Sequence, residues 1–141
     1  MTRIIGFDLG EKTLGIAISD PLRIIVTRLK TIYFNKNDYE TASYKALEII
    51  NKENVNDVVI GLPLNMNGSE SKMSKKVLIF KKKLLLLKPS LNIEIIDERL
   101  STMAAKRNFA EINLSSKKYK TIIDTEAAAI ILETYLKKIK K

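Results

Sequence analysis

The stretch Arg3 to Asp20, RIIGFDLGEKTLGIAISD, constrains this chain's fold more than any other. Its first seven residues have the apolar content and length of a buried strand. Alternation puts Ile5, Phe7 and Leu9 on one face and Ile4, Gly6 and Asp8 on the other. Gly10-Glu11-Lys12 reads as a short turn, and Leu14 to Ser19 as a returning strand. Asp8 falls near the end of the first strand. A carboxylate buried there is costly unless a metal ion or hydrogen-bond donors compensate it. The simpler alternative is that Asp8 closes its own turn by accepting from the amides of Gly10 or Glu11.

Composition narrows the chemistry. With no His and no Cys in 141 residues, the chain cannot supply a Ser-His-Asp or Cys-His triad, a thiolate nucleophile, or a His/Cys zinc site. Enzymatic chemistry must then rest on carboxylates, Lys, Tyr, hydroxyls or a hard metal held by oxygen. A net charge of +9, from 25 basic against 16 acidic residues, points to a polyanionic partner such as nucleic acid. The frequent Lys, Ile and Asn are also what an AT-rich coding sequence would give. The length suits one domain, residues 1–141. Leu84–Leu87 and Ala127–Leu132 are too short to span a bilayer, so no membrane association is expected. The lack of Cys and of a signal-peptide core fits a cytoplasmic location.

Further along, Arg23 to Phe34 is rich in β-branched residues and reads as a third strand with one partly polar face, as at a sheet edge. Asn37 and Glu40 have capping-box spacing and open a helix through about Glu53, with Ala42, Ala46, Ile49 and Ile50 as its apolar stripe. Val55 to Leu62 carries the continuous apolar run of a strand buried on both faces, and a loop around Asn65 and Asn67 follows. Ser69 is the expected N-cap of a long helix ending before Pro89, with Met73, Val77, Phe80, Leu84 and Leu87 as its stripe. Lysines flank that stripe, as on a solvated helix face. Leu91 to Ile96 is a fifth strand. A short helix to about Ile112, a polar loop over Asn113–Lys120 and a final helix over Thr121–Ile139 complete the order. The expected fold class is α/β, a five-stranded mixed sheet with helices on both faces.

Three carboxylates should meet in such a fold. Asp8 and Glu98 lie near the carboxyl ends of the first and fifth strands, where α/β sheets gather functional groups. Asp124 shares the core-facing side of the last helix with Ala127, Ala128, Ile131 and Tyr135. Glu126, Glu133, Lys137 and Lys140 lie opposite. The competing reading makes Asp124 a helix cap, alone or with Thr121. Three inward carboxylates suit Mg²⁺ or Mn²⁺, and two such ions can activate water and stabilise the leaving oxygen in phosphodiester cleavage without a His base.

GFDLGEKTLGIAISD, VVIGLPLNMNGSES, DERLST and IDTEAAAIILETYL, in that order, resemble the four signature segments of the YqgF (RuvX) family. The likeness spans residues 3–136. It implies a ribonuclease H-like fold related to Holliday-junction resolvases, and nuclease activity in processing the 5′ end of pre-16S ribosomal RNA. It implies Asp8, Glu98 and Asp124 as catalytic, metal-binding acids for Mg²⁺ or Mn²⁺. It also implies nucleic-acid contacts from Lys12, Thr13, Asn65, Asn67 and Arg99. Many members carry Arg at the position of Thr13 and Asp at that of Asn67; Lys12 keeps a basic group beside the first site.

The opening hairpin also resembles the first phosphate loop of the actin, Hsp70 and sugar-kinase group. Those proteins need a second, similar half, and this chain has one such hairpin. Gly10 and Gly15 lack the Lys-Ser/Thr of a P-loop, and Ser69-Glu-Ser-Lys72 is expected by chance among so many lysines. Alternatives within the fold are a Holliday junction resolvase-like DNA endonuclease and a non-catalytic RNA-binding assembly factor. The expected partner is nucleic acid, RNA ahead of a DNA junction, met by a monomer or weak homodimer.

Overall fold

The computed structural model describes residues 2–100 and 117–140, with side chains of the last helix from Glu126 onward. Five strands form one sheet: β1 (Ile4–Leu9), β2 (Thr13–Ser19), β3 (Val26–Tyr33), β4 (Asp57–Leu62) and β5 (Asn92–Asp97). Helices α1 (Tyr39–Lys52), α2 (Lys72–Leu87) and α3 (Lys117–Ile139) cover it, and a single 3₁₀ turn at Glu98–Leu100 follows β5. The sheet order is β3-β2-β1-β4-β5. The first three strands pair antiparallel, whereas β4 lies parallel to both β1 and β5. This is the expected mixed sheet with β1 at its centre.

The alternation read from β1 sorts the core into two. Ile5, Phe7 and Leu9 join Ile50, Val77, Phe80 and Leu84 beneath α1 and α2, where Phe7 and Phe80 meet edge to face at 5.9 Å. Ile4 joins Val59, Ile96, Ala127, Ala128, Ile131 and Leu132 beneath α3. The α3 side is much more closely packed to the sheet backbone. A Cβ on Gly6 would lie 2.9 Å from Leu132 Cβ and 3.1 Å from the Ala128 carbonyl oxygen. A Cβ on Gly61 would lie 2.5 Å from Ile131 Cδ1. Only glycine at these two strand positions lets the helix come so near.

Element boundaries differ from the sequence expectation in informative ways. The third strand begins at Val26, not Arg23, because Asp20 Oδ1 accepts from the amides of Ile24 at 2.7 Å and Ile25 at 2.9 Å. That turn puts Arg23 at φ +59° and aims its guanidinium at Asp57, 2.6 Å away. The N-cap of α1 is Asp38, not Asn37; its carboxylate accepts from the Thr41 amide at 3.1 Å. Asn37 instead takes a left-handed φ of +62°. The N-cap of α2 is Ser71, not Ser69, in a reciprocal capping box with Ser74. Ser69 is held back in the loop by Asn67, whose Oδ1 accepts from both its amide and its hydroxyl.

The last helix starts at Lys117 rather than Thr121, so residues 117–120 are helical and not loop. Asp124 therefore lies about two turns inside α3, too deep to cap it. The short helix expected to about Ile112, and the loop residues before 117, lie outside the described residues. Ala127, Ala128 and Ile131 are buried as expected, as are Ala129, Leu132 and Leu136.

Gly6→Ala should destabilise the protein by about 1–3 kcal/mol, because the new methyl group meets helix backbone that cannot rotate away. Urea unfolding of this variant against wild type measures the difference.

Candidate active site

Asp8 and Glu98 are among the few buried charged residues, 3% and 7% exposed. Each is placed by its element. Asp8 is the fifth residue of β1 and alternates with Phe7 and Leu9, so it faces the α3 side. Across β2 it pairs with Gly15. On the other flank, the register Phe7↔Ile60 puts Gly61 next along β4. A glycine on each neighbouring strand leaves room beside the carboxylate. Glu98 opens the 3₁₀ turn after β5 and folds back over β4, where its Oε1 lies 2.8 Å from the place a Gly61 Cβ would occupy. The two carboxylates thus come to the same end and the same face of the sheet, on either side of Gly61. Sequence reading named the acids but not this glycine, though a Gly in an otherwise β-branched run is the available signal.

Asp124 lies on α3 one turn before Ala128, whose carbonyl oxygen approaches Gly6, and two turns before Ile131, which packs on Gly61. Its side chain lies outside the described residues. Glu126, expected to face solvent, is instead ion-paired with Arg28 of β3, with its side chain 31% exposed. The helix runs across β3 as well as β1 and β2, which brings this acid over the basic edge strand.

The residues expected at nucleic acid divide into two groups at this end of the sheet. Lys12 and Thr13 form the turn into β2. The Lys12 side chain is exposed, while its carbonyl accepts from the Phe34 amide at 3.0 Å and the Thr13 carbonyl accepts from Gly10 N at 2.8 Å. Asn65, Asn67 and Arg99 gather at the ends of β4 and β5. Both Asn side chains are committed to the loop itself: Asn65 Nδ2 donates to Ser69 Oγ at 3.0 Å and to the Glu70 carbonyl at 3.1 Å.

Arg99 is also committed. It donates to both carboxylate oxygens of Asp97, at 2.7 Å through Nη2 and 3.1 Å through Nε, and its Nη1 donates to the Met66 carbonyl at 3.2 Å. The guanidinium packs against Gly68, which turns the chain at φ +87°. Arg99 therefore braces the loop that follows β4. The bidentate partner Asp97 was not anticipated; it follows from Asp97 and Glu98 facing opposite ways as β5 ends.

A five-stranded sheet of this order, with two buried acids at the carboxyl ends of β1 and β5, defines a ribonuclease H-like protein. The chain resembles Thermus thermophilus RuvC in complex with a Holliday junction substrate, at TM-score 0.63 and 14% identity, covering 97% of this chain and 96% of that one. It likewise resembles a fowlpox virus resolvase in complex with Holliday junction DNA, at TM-score 0.58 and 13% identity, covering 99% and 100%. The family model RuvX, described as Holliday junction resolvase, matches residues 2–138. A Staphylococcus carnosus protein named as a pre-16S rRNA nuclease is 44% identical over 134 residues, 95% of this chain and 94% of the relative. A Staphylococcus aureus protein of the same name is 45% identical over the same shares. The chain belongs to the RuvX family, the YqgF family of the sequence resemblance.

The Asp97 hydrogen bonds from Arg99 hold that carboxyl below its ordinary range. A depressed acid contributes stability that is complete above the ordinary Asp value of about 3.9 and lost as pH falls through the lowered one. The clasp on residues 65–68 should therefore hold at neutral pH and release only in strong acid. Asp97→Asn should release it at pH 7, raising hydrogen exchange at the Gly68 and Ser69 amides while leaving α1 and α2 protected.

Proposed function

We propose that this protein is a divalent-metal-dependent nuclease that hydrolyses phosphodiester bonds in RNA, acting at the 5′ end of pre-16S ribosomal RNA during ribosome biogenesis. The reaction class rests on membership of the RuvX family, and the RNA on relatives at 44% and 45% identity named as pre-16S rRNA nucleases. The observation that carries the chemistry is the gap at Gly61, with Asp8 on one side and Glu98 on the other. Two carboxylates buried at one strand end and opening onto one gap are the oxygen donors that a hard divalent cation takes.

The donor set fits Mg²⁺ or Mn²⁺. It is all oxygen, in a chain with neither His nor Cys. Asp8, Glu98 and Asp124 would hold the ion, which when bound supplies an activated water and charge stabilisation at the leaving oxygen. The position of Asp124 in α3, one turn from Ala128, and its exclusion as a cap support its membership. Within this site Asp8 is held rigidly by the central strand, and Glu98 is seated by the turn that Arg99 anchors. The apolar packing of Ile131 and Leu132 excludes water from behind the carboxylates. Exposed Lys12 beside the first strand would meet a backbone phosphate, and binding would be largely independent of sequence because few aromatics are present to stack on bases. No helix among the described residues is long and apolar enough to cross a membrane. We place the activity in the cytoplasm, in a monomer or weak homodimer.

A second reading is favoured by the description of the family model as Holliday junction resolvase. Labelled precursor RNA and a four-way DNA junction, offered separately with Mg²⁺ or Mn²⁺, decide between them. RNA should be cut and the junction spared; faster cleavage of the junction overturns the RNA assignment. Binding should weaken linearly in log salt, as phosphate contacts require.

Asp8→Asn, Glu98→Gln and Asp124→Asn should each lower metal-dependent cleavage more than about a hundredfold, since even outer-shell changes at metal sites cost 10–100-fold. Metal-free Asp124→Asn should be no less stable than wild type if the three acids share one site, because neutralising one of them would relieve repulsion. Glu126→Gln loses the Arg28 ion pair, should cost no more than about 1 kcal/mol, and should cleave normally. Normal cleavage and Mn²⁺ binding by Asp124→Asn would overturn the three-carboxylate site.

A further inference from the structure

Glu11 is an acid on the tip of the turn that follows β1, three residues beyond Asp8, within the field of Lys76, Lys36 and Lys12. Its Oε2 accepts from Lys76 Nζ of α2 at 2.8 Å, a contact spanning 65 positions of sequence. The pair is open to solvent, with side chains 46% and 24% exposed. Lys36 and Lys12 add their attraction to that of Lys76, and together they hold the Glu11 carboxyl below its ordinary range.

The turn does not need this carboxylate to keep its shape. All three of its carbonyls are already engaged: Gly10 O accepts from the Tyr39 hydroxyl at 3.4 Å. Glu11 O accepts from the Asn37 amide at 2.8 Å and Lys12 O from the Phe34 amide at 3.0 Å. Gly10 N donates to Thr13 O at 2.8 Å. A solvent-exposed ion pair adds little to stability beside such bonds. What the carboxylate changes is the charge that Lys76 presents. Lys76 also lines an open cleft of about 400 Å³ between the start of α1 and α2, shared with the acids Asp38 and Glu40 as well as with Tyr39, Ile79 and Lys83, so an ammonium released from Glu11 sits at a mixed-charge surface on which Lys83 is the second cation.

We propose that Glu11 is an internal competitor for substrate phosphate: in the free protein its carboxylate occupies Lys76, and a phosphate of bound nucleic acid takes its place. The inference rests on the nuclease reading and extends it to the α1–α2 side of the catalytic end. Each phosphate bound there must displace a carboxylate, so the contact contributes less affinity than a free lysine would. That keeps a highly basic protein from holding polyanions too tightly to release them.

The test is binding of fluorescein-labelled single-stranded RNA in EDTA, where cleavage is absent, over a series of salt concentrations. E11Q should bind about fivefold more tightly at 0.1 M salt and steepen the log–log salt dependence by about 0.7, the value for one more phosphate contact on a single strand. E48Q, which removes an equal charge from an exposed site on α1, should gain less. K76M should weaken binding and flatten the salt dependence by a similar amount, and E11Q/K76M should match K76M. Unchanged or weaker binding by E11Q, or a gain that survives K76M, overturns the proposal while leaving the nuclease reading intact. No RNA binding by wild type and E11Q alike, even at low salt, overturns both. Thermal melting of each variant checks that the fold is retained.

Discussion

The approach of α3 to the sheet backbone is the constraint on which the rest depends. Helix and sheet ordinarily keep a layer of side chains between them. Here Gly6 and Gly61 remove that layer on the strand side, and Ala127, Ala128 and Ala129 thin it on the helix side. The opposite face is built differently, with Phe7, Phe80, Leu84 and Ile50 forming a deep aliphatic and aromatic core under α1 and α2. The two faces therefore divide the labour. The thick face supplies most of the apolar burial that stabilises the fold, and the thin one leaves the space at Gly61 that Glu98 enters.

Strand alternation then decides which acid does what. Asp97 and Glu98 are adjacent in sequence, yet one pairs with Arg99 at the loop and the other returns over Gly61. Arg99 is spent on Asp97 and on the Met66 carbonyl. The same separation holds on the other side of the site. Lys76 and Glu11 neutralise each other on the α2 face, and Asp8 points to the α3 face.

Much of this was legible in the sequence because period-two alternation and short apolar runs are strong signals when strands are buried. The face assignment of β1 and the inward set Ala127, Ala128 and Ile131 came from periodicity alone. Cap positions were read a residue or two early. Asn37 and Ser69 have the right chemistry, but Asp38 and Ser71 sit where the chain enters the helix, and that entry is set by tertiary turns. Arg23 looked like strand because its neighbours are β-branched; the Asp20 carboxylate captures two amides and bends the chain before β3 can start. Contacts such as Arg28 with Glu126, 98 positions apart, and Lys76 with Glu11 depend on how layers stack. No local pattern encodes them. Gly61 was visible only as a residue type, since its meaning comes from Ile131 and Glu98 meeting above it.

The departures from the family pattern at Thr13 and Asn67 take on a physical sense in this geometry. Among the described residues Asn67 is held through its Oδ1, accepting from the Ser69 amide at 2.9 Å and from its hydroxyl at 2.6 Å. An Asp there could accept the same two bonds, so the shape of the loop does not depend on which is present. What changes is charge: Asn removes one negative group from this loop. Thr for Arg at position 13 removes one positive group from the other side of the same sheet end, while its backbone still closes the turn through the Gly10 amide. The two changes cancel in net charge. The attraction of this end for a polyanion is set by the balance of groups around the buried acids, so paired exchanges of this kind preserve it. The distribution does shift: with Thr at position 13, Lys12 is the basic group that the turn into β2 retains.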